Sequence, residues 1–246
     1  MPGFSVRGVL LDIEGTTSAI AYVYDVMFPY ARRELAAYLE DNWHVEACQA
    51  AAEQVARDAG HDGVAAWCEQ TGADERSLVQ TEVQRLMDAD VKATGLKQLQ
   101  GLIWQAGFES GELRAHVFDD VPPALANWRD AGIDLRVYSS GSVHAQKLFF
   151  GNTASGDLLP RFSGHYDTTT GPKKEPASYT AIAHDWEIAP DAILFLSDVV
   201  AELDAAASAG MRTALVYRPG NQPVADDQPH PNIESFDQLE LSPVAV

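Results

Sequence analysis

Short runs rich in Val, Leu and Ile recur along this chain, with stretches of helical spacing between them. The clearest are residues 8–13 (G-V-L-L-D-I), 135–140 (L-R-V-Y-S-S), 193–198 (I-L-F-L-S-D) and 213–218 (T-A-L-V-Y-R). Runs that are apolar nearly throughout, rather than alternating, mark parallel strands covered on both faces. Each run ends in a polar or charged residue, and in an open α/β sheet ligands bind beyond the carboxyl ends of the strands. The pattern therefore predicts that Asp12, Ser139, Ser140, Asp198 and Arg218 gather along one edge of a parallel sheet.

From about residue 26 to residue 116 the pattern changes to Ala, Leu, Glu and Gln with apolar positions three and four apart, and no strand is predicted. Helices are expected over 31–39, 45–59, 77–89 and 96–106, with Gly60, Gly72, Gly95 and Gly107 as breaks. The predicted architecture is an α/β fold: a Rossmann-like parallel-sheet core over residues 1–20 and 117–246, interrupted after its first strand by an all-helical insertion over 21–116. Pro122 and Pro123 mark the return to the core, and residues 219–231, with four prolines among Asn, Gln and Asp, are expected to form a surface loop.

Composition narrows the functional classes. The 246 residues are 46% hydrophobic, which suits a globular protein, and 36 Asp and Glu against 17 Lys and Arg give a net charge of −19. So acidic a chain repels polyanions, which argues against nucleic acid and anionic membrane as partners and leaves small substrates and cations. Cys48 and Cys68 match no zinc spacing and no disulfide framework. Neither a signal peptide nor an apolar run of membrane-spanning length is evident, so a cytoplasmic protein is expected, and without heptads or long apolar edges a monomer.

Asp12 and Glu14, in L-L-D-I-E-G-T-T, stand at the end of the first predicted strand. A buried carboxylate is costly unless it binds a cation or reacts, and strand alternation would aim the two acids the same way. One is then available as a nucleophile and the other for proton transfer. The plainer alternative is that Asp12 caps a helix and Glu14 is solvated. Ser139 and Ser140, before a helix expected near Ser142, make an anion cradle or an ordinary N-cap. Lys173 and Lys174 stand between glycine and proline in T-G-P-K-K-E-P and suit a phosphate or a carboxylate, although most such pairs are simply solvated. Asp198, followed by Glu202 and Asp204, again ends an apolar run, and carboxylates from two strand ends suit Mg²⁺.

The order strand-Asp-x-acid, strand-Ser, Lys, strand-Asp with an acid four on resembles the haloacid dehalogenase superfamily of aspartyl-phosphate-forming hydrolases, with the helical insertion standing where that superfamily carries a cap. Glu14 departs from the second aspartate usual in its phosphatases. D-I-E-G-T-T together with V-Y-S-S-G-S-x-x-A-Q-K-L-x-F and R-P-G-N is similar to the enolase-phosphatase family of methionine salvage. The resemblance implies an enzyme that enolises 2,3-diketo-5-methylthiopentyl-1-phosphate and then dephosphorylates it, with one Mg²⁺ per chain. It implies Asp12 as nucleophile and metal ligand, Glu14 as a metal ligand through its backbone carbonyl, and Asp198 as the remaining ligand. Ser139, Ser140 and Lys173 match the substrate-binding positions, with Lys174 as a competing register.

On this reading Tyr22, Tyr24 and Phe28 either line an apolar pocket for a methylthio tail or pack the insertion on the core. His44, His61, His144 and His184 fall in no metal spacing. The base for enolisation is not evident; Glu14 is the candidate. Two rivals remain: a Mg²⁺-dependent phosphatase or mutase for another small sugar phosphate, and an inert phosphate-binding regulatory module on the same fold.

Overall fold

A computed structural model describes residues 1–225 and 227–244 of the chain. It opens with β1 (Gly3–Val6) and β2 (Gly8–Leu11), followed by α1 (Ile20–Tyr22) and a turn of π-helix, Val23–Met27. A run of helices follows: α2 (Phe28–Asn42), α3 (Glu46–Asp58), α4 (Val64–Thr71), α5 (Glu75–Asp88) and α6 (Thr94–Ser110). The chain then alternates through α7 (Val121–Asp130), β3 (Asp134–Tyr138), α8 (Val143–Gly151), β4 (Gly164–Tyr166) and α9 (Pro176–Trp186). It ends with β5 (Ile193–Ser197), α10 (Val200–Ser208), β6 (Arg212–Val216), β7 (Asn232–Ile233) and β8 (Glu240–Pro243).

Six strands form one sheet in the order β4-β3-β2-β5-β6-β7, every pair parallel. The first of them in the chain, β2, is thus central, with Leu11 opposite Val137 on one side and Leu196 on the other. All residues of β2 and β5 are buried, as two-sided coverage by helices requires. Leu10, Phe195, Tyr138 and Leu215 pack with Tyr179, Ile182 and Leu203 from the covering helices in one apolar cluster. Connections run outward from β2 in opposite directions, through β3 to β4 and through β5 to β6. This reversal opens a crevice at the carboxyl ends of β2 and β5.

All four apolar runs form strands, each stopping one or two residues short of its predicted polar end, so Asp12, Ser139, Ser140, Asp198 and Arg218 sit in the loops just beyond. The sequence pattern did not reveal β1, β4, β7 or β8, which are short or partly polar. Strand β1 pairs in parallel with β8, Gly3 opposite Glu240 and Val6 opposite Pro243.

The chain divides into two compact units, Met1–Val23 with Arg114–Val246, and Tyr24–Leu113. The second is helical throughout its described elements, and it corrects two expected breaks. Gly95 and Gly107 lie inside α6 and are buried. A Cβ on Gly95 would stand 2.5 Å from the backbone nitrogen of Val55, and one on Gly107 would stand 2.7 Å from the Tyr30 ring. These glycines let α6 approach its neighbours and do not end it. Gly60 and Gly72 do follow helix ends, both with positive φ. Helix α4, between Gly63 and Gly72, was not anticipated. Pro122 and Pro123 occupy the first turn of α7, the first helix after the chain returns to the first unit, where a missing N–H costs nothing. The Pro219–Pro231 stretch carries no regular element among its described residues before β7.

Candidate active site

Asp12 leaves β2 with its backbone N–H bonded to Leu196 O of the neighbouring strand, 3.0 Å, which places its side chain at the crevice. Only 5% of Asp12 is exposed. Its Oδ1 accepts from the Ile13 N–H at 2.8 Å and from Lys173 Nζ at 2.8 Å; its Oδ2 accepts from Ser197 Oγ at 3.3 Å. The carboxylate is therefore held from both sides.

Lys173 also reaches Glu202 Oε2 at 2.6 Å. Burial pulls its ammonium down, but Asp12 and Glu202 outweigh burial and hold the pKa above its ordinary value, so the group stays charged. Its place is set from behind: Tyr179, on α9, donates its hydroxyl to the Lys173 carbonyl at 2.7 Å. Lys174 is exposed. Of the two lysines, Lys173 is the one beside Asp12.

Glu202 is the functional-looking residue that sequence reasoning noticed but did not place in the site. It lies in the first turn of α10, where the helix dipole favours an acid, and bonds Ser197 Oγ at 3.1 Å. Its position four residues after Asp198 is the signal that could have found it. Burial and then the charge of Asp12 push Glu202 up to about 7, against the pull of Lys173. The same two causes push Asp198 up to about 7. Ser197 thus bridges two carboxylates, Asp12 and Glu202, within a crowded acidic pocket.

Asp198 presses against the turn after Asp12. Gly15 has φ +72°, and a Cβ there would collide with the Asp198 carboxylate. Glycine is therefore required on two counts, backbone and close approach. Glu14 is half-buried and bridges to Ser18.

The serine pair divides. Ser139 is buried and its Oγ accepts from the Gly141 N–H at 3.2 Å, whereas Ser140 is exposed. The helix expected near Ser142 is α8, with Ser142 as N-cap. The cradle is narrower than its sequence suggests, because Asp167 accepts from the Val143 N–H and Ser142 from the Ala145 N–H, so two of the first-turn donors are already used. Arg218 does lie at this edge, but at 3% exposure its guanidinium is committed to the carbonyls of Thr16 and Glu234 and to Asp120. It is not a substrate ligand.

Of the aromatic residues, Tyr22 stacks near His116 and meets Phe149 edge to face, while Tyr24 meets Phe28 in the helical unit. His61 stacks on Trp67 and pairs with Gln70. Cys48 and Cys68 are free thiols.

Among the described residues no group of three or more His, Cys, Asp or Glu side chains could by itself hold a metal ion. A cation at the crevice would draw on Asp12, Asp198, backbone carbonyl and water. Mg²⁺ accepts such a set, since it takes hard oxygen ligands and retains waters. Asp12 and Asp198 bring hard oxygen donors from two neighbouring strand ends, and Asp198 stands close against the Gly15 turn, so the donors fit the ion. Among the described residues no helix is long and apolar enough to cross a membrane.

Comparison with known proteins agrees with this geometry. Residues 6–210 match the family model for haloacid dehalogenase-like hydrolases. Enolase-phosphatase E1 of Sorangium cellulosum is 46% identical over 239 residues, covering 97% of this chain and 99% of that protein. The protein of the same name from Synechococcus elongatus is 45% identical, with coverage of 96% and 98%. The crystal structure of the UTR4 protein of Saccharomyces cerevisiae superposes with a TM-score of 0.75 at 34% identity, over 96% of this chain and 100% of that one. The chain belongs to the enolase-phosphatase E1 family of the haloacid dehalogenase-like hydrolases.

Proposed function

We propose that this chain enolises 2,3-diketo-5-methylthiopentyl-1-phosphate and then hydrolyses the phosphate, releasing 1,2-dihydroxy-3-keto-5-methylthiopentene, the acireductone of methionine salvage. The observation that carries the reading is the buried Asp12 carboxylate, paired with Lys173 and standing at the strand end beside Asp198. With Oδ1 fixed by Ile13 N–H and Lys173, the carboxylate is oriented before substrate arrives, which lowers the entropic part of the barrier.

Asp12 attacks phosphorus, the bond from phosphorus to the substrate oxygen breaks, and that oxygen leaves with the proton that Glu14 took up in enolisation. Water then attacks the aspartyl-phosphate and returns the free carboxylate and inorganic phosphate. Lys173 stays charged throughout and supports negative charge on the transferring group, the principal task in phosphoryl transfer. Ser139 and Ser140 bind the substrate phosphate. Asp12, Asp198 and the Glu14 carbonyl would hold one Mg²⁺, which supplies charge neutralisation at the phosphate and polarises a substrate carbonyl. The Glu14 side chain takes the proton in enolisation. The reading carries with it a cytoplasmic monomer, with residues 21–116 as the cap that selects the substrate.

The test is incubation with the diketo phosphate while ultraviolet absorbance and inorganic phosphate are followed together. Both signals should rise, and Asp12→Asn should lose phosphate release. Phosphate without the enol absorbance leaves a plain phosphatase; neither signal sinks the assignment.

A further inference from the structure

The loop after Asp12 is bonded at nearly every carbonyl. The N–H groups of Thr16, Thr17 and Ser18 converge on Ile13 O, at 3.3, 3.0 and 2.9 Å, and Gly15 N–H bonds Ser18 O at 2.8 Å. Phe118 N–H takes Thr17 O at 3.1 Å. The two carbonyls between are taken by side chains from the far end of the chain: Asn221 Nδ2 donates to Gly15 O at 2.8 Å, and Arg218 Nε donates to Thr16 O at 3.1 Å. Both polar members of the R-P-G-N segment thus end on adjacent peptides of the D-I-E-G-T-T loop.

We propose that the R-P-G-N segment is a strut for the catalytic loop, with Asn221 a positioning residue that holds the Gly15 peptide against Asp198 and so sets the oxygen donors of the metal site. The strut rests on the metal-assisted phosphatase reading above. Three features carry it. Asn221 Nδ2 also donates to Val216 O at 3.2 Å, so the amide faces two carbonyls and a flipped amide would set oxygen against oxygen. Its own Oδ1 and the Thr16 hydroxyl are buried with no hydrogen-bond partner among the described residues. An orphaned buried polar atom destabilises a fold, and a fold that optimised packing alone would place an apolar group here. Finally, Arg218 is itself immobile: Phe118 and Phe236 flank its guanidinium at 4.5 and 4.8 Å, and Asp120 pairs with Nη2 at 2.8 Å. Asp120 in turn accepts from Ser235 Oγ and the Phe236 N–H, so the strut is anchored in the body of the domain.

The alternative is that the segment only stabilises the fold, and the two differ in what a folded variant does. Asn221→Leu keeps the number and branching of the side-chain heavy atoms and removes the donor. Binding of Mg²⁺, added as its chloride and followed by calorimetry, should weaken by about tenfold to a hundredfold, the usual cost of losing a group that orients a metal ligand. In turnover of the diketo phosphate, kcat should fall while KM stays near wild type, since no substrate contact is removed. Where Asn221→Leu does not fold, Asn221→Ser, smaller and too short to reach Gly15 O, takes the same measurements. A folded variant with wild-type Mg²⁺ affinity and kcat, whatever its melting temperature, overturns the strut. A wild-type protein that binds no Mg²⁺ overturns the metal reading beneath it, a separate result visible before any variant is made.

Discussion

Lys173 Nζ lies 2.8 Å from Asp12 Oδ1 and 2.6 Å from Glu202 Oε2, so one cation is shared by two carboxylates in a pocket from which water is largely excluded. The three side chains come from a loop, a strand end and a helix, and each is costly to bury without the others. Removing the cation leaves like charges facing one another. Lys173→Met should therefore abolish phosphate release and destabilise the protein by about 3–5 kcal/mol at neutral pH, the cost of breaking a buried pair. Denaturant melts at pH 8 and pH 5 check this, with the smaller loss expected at pH 5, where Glu202 takes up a proton.

Asp12→Asn tests the nucleophile. Phosphate release should fall by at least about three orders of magnitude, as when other covalent nucleophiles are removed. The substitution also removes the charge that raises Asp198 and Glu202. Titration of the Asp198 carboxyl by NMR should then move toward the ordinary carboxylate range, and an unmoved value would contradict the electrostatic account.

Burial, reinforced by acidic crowding, makes metal-free stability depend on pH in an unusual direction. Asp198 and Glu202 hold protons in the folded state to about 7, whereas in the unfolded chain they ionise near about 4. Between these limits the folded state binds more protons, so their contribution to stability falls as pH rises through the window. In EDTA, Asp198→Asn should flatten this slope between pH 5 and pH 8. Equal slopes in wild type and variant would show that the carboxyl is not perturbed.

Two glycines in one helix should respond oppositely to alanine. At Gly101 in α6 a Cβ would meet nothing within 4 Å, so Gly101→Ala should gain up to about 1 kcal/mol from helix propensity. Gly95→Ala gains the same propensity but drives its methyl onto the backbone of Val55, and overpacking costs about 1–3 kcal/mol. The clash wins and the variant should melt lower than wild type.

Much of the fold is legible because its strands are buried on both faces. G-V-L-L and I-L-F-L admit few other readings, and their polar ends locate the site. A glycine that ends a helix and one that lets two helices touch look alike in sequence, which is why Gly95 and Gly107 mislead. Spacing does not choose between Lys173 and Lys174; the choice depends on Tyr179 bonding the Lys173 carbonyl, a tertiary fact. The pairing of β1 with β8 and the reach of Asn221 to Gly15 join opposite ends of the chain, and no local pattern reports them.

The same end-to-end construction bears on synthesis. The helical unit, Tyr24–Leu113, is continuous and is complete on the ribosome while β2 still lacks both flanking strands. Strand β2 must wait for β3, then for β5, and its loop waits for Asn221. A nascent chain released before that residue emerges carries Asp12 and Lys173 but lacks the bond to Gly15 O that fixes the loop after Asp12. Truncation shortly before residue 218 should therefore yield a folded helical half beside an idle catalytic loop, because contacts this distant in sequence form late.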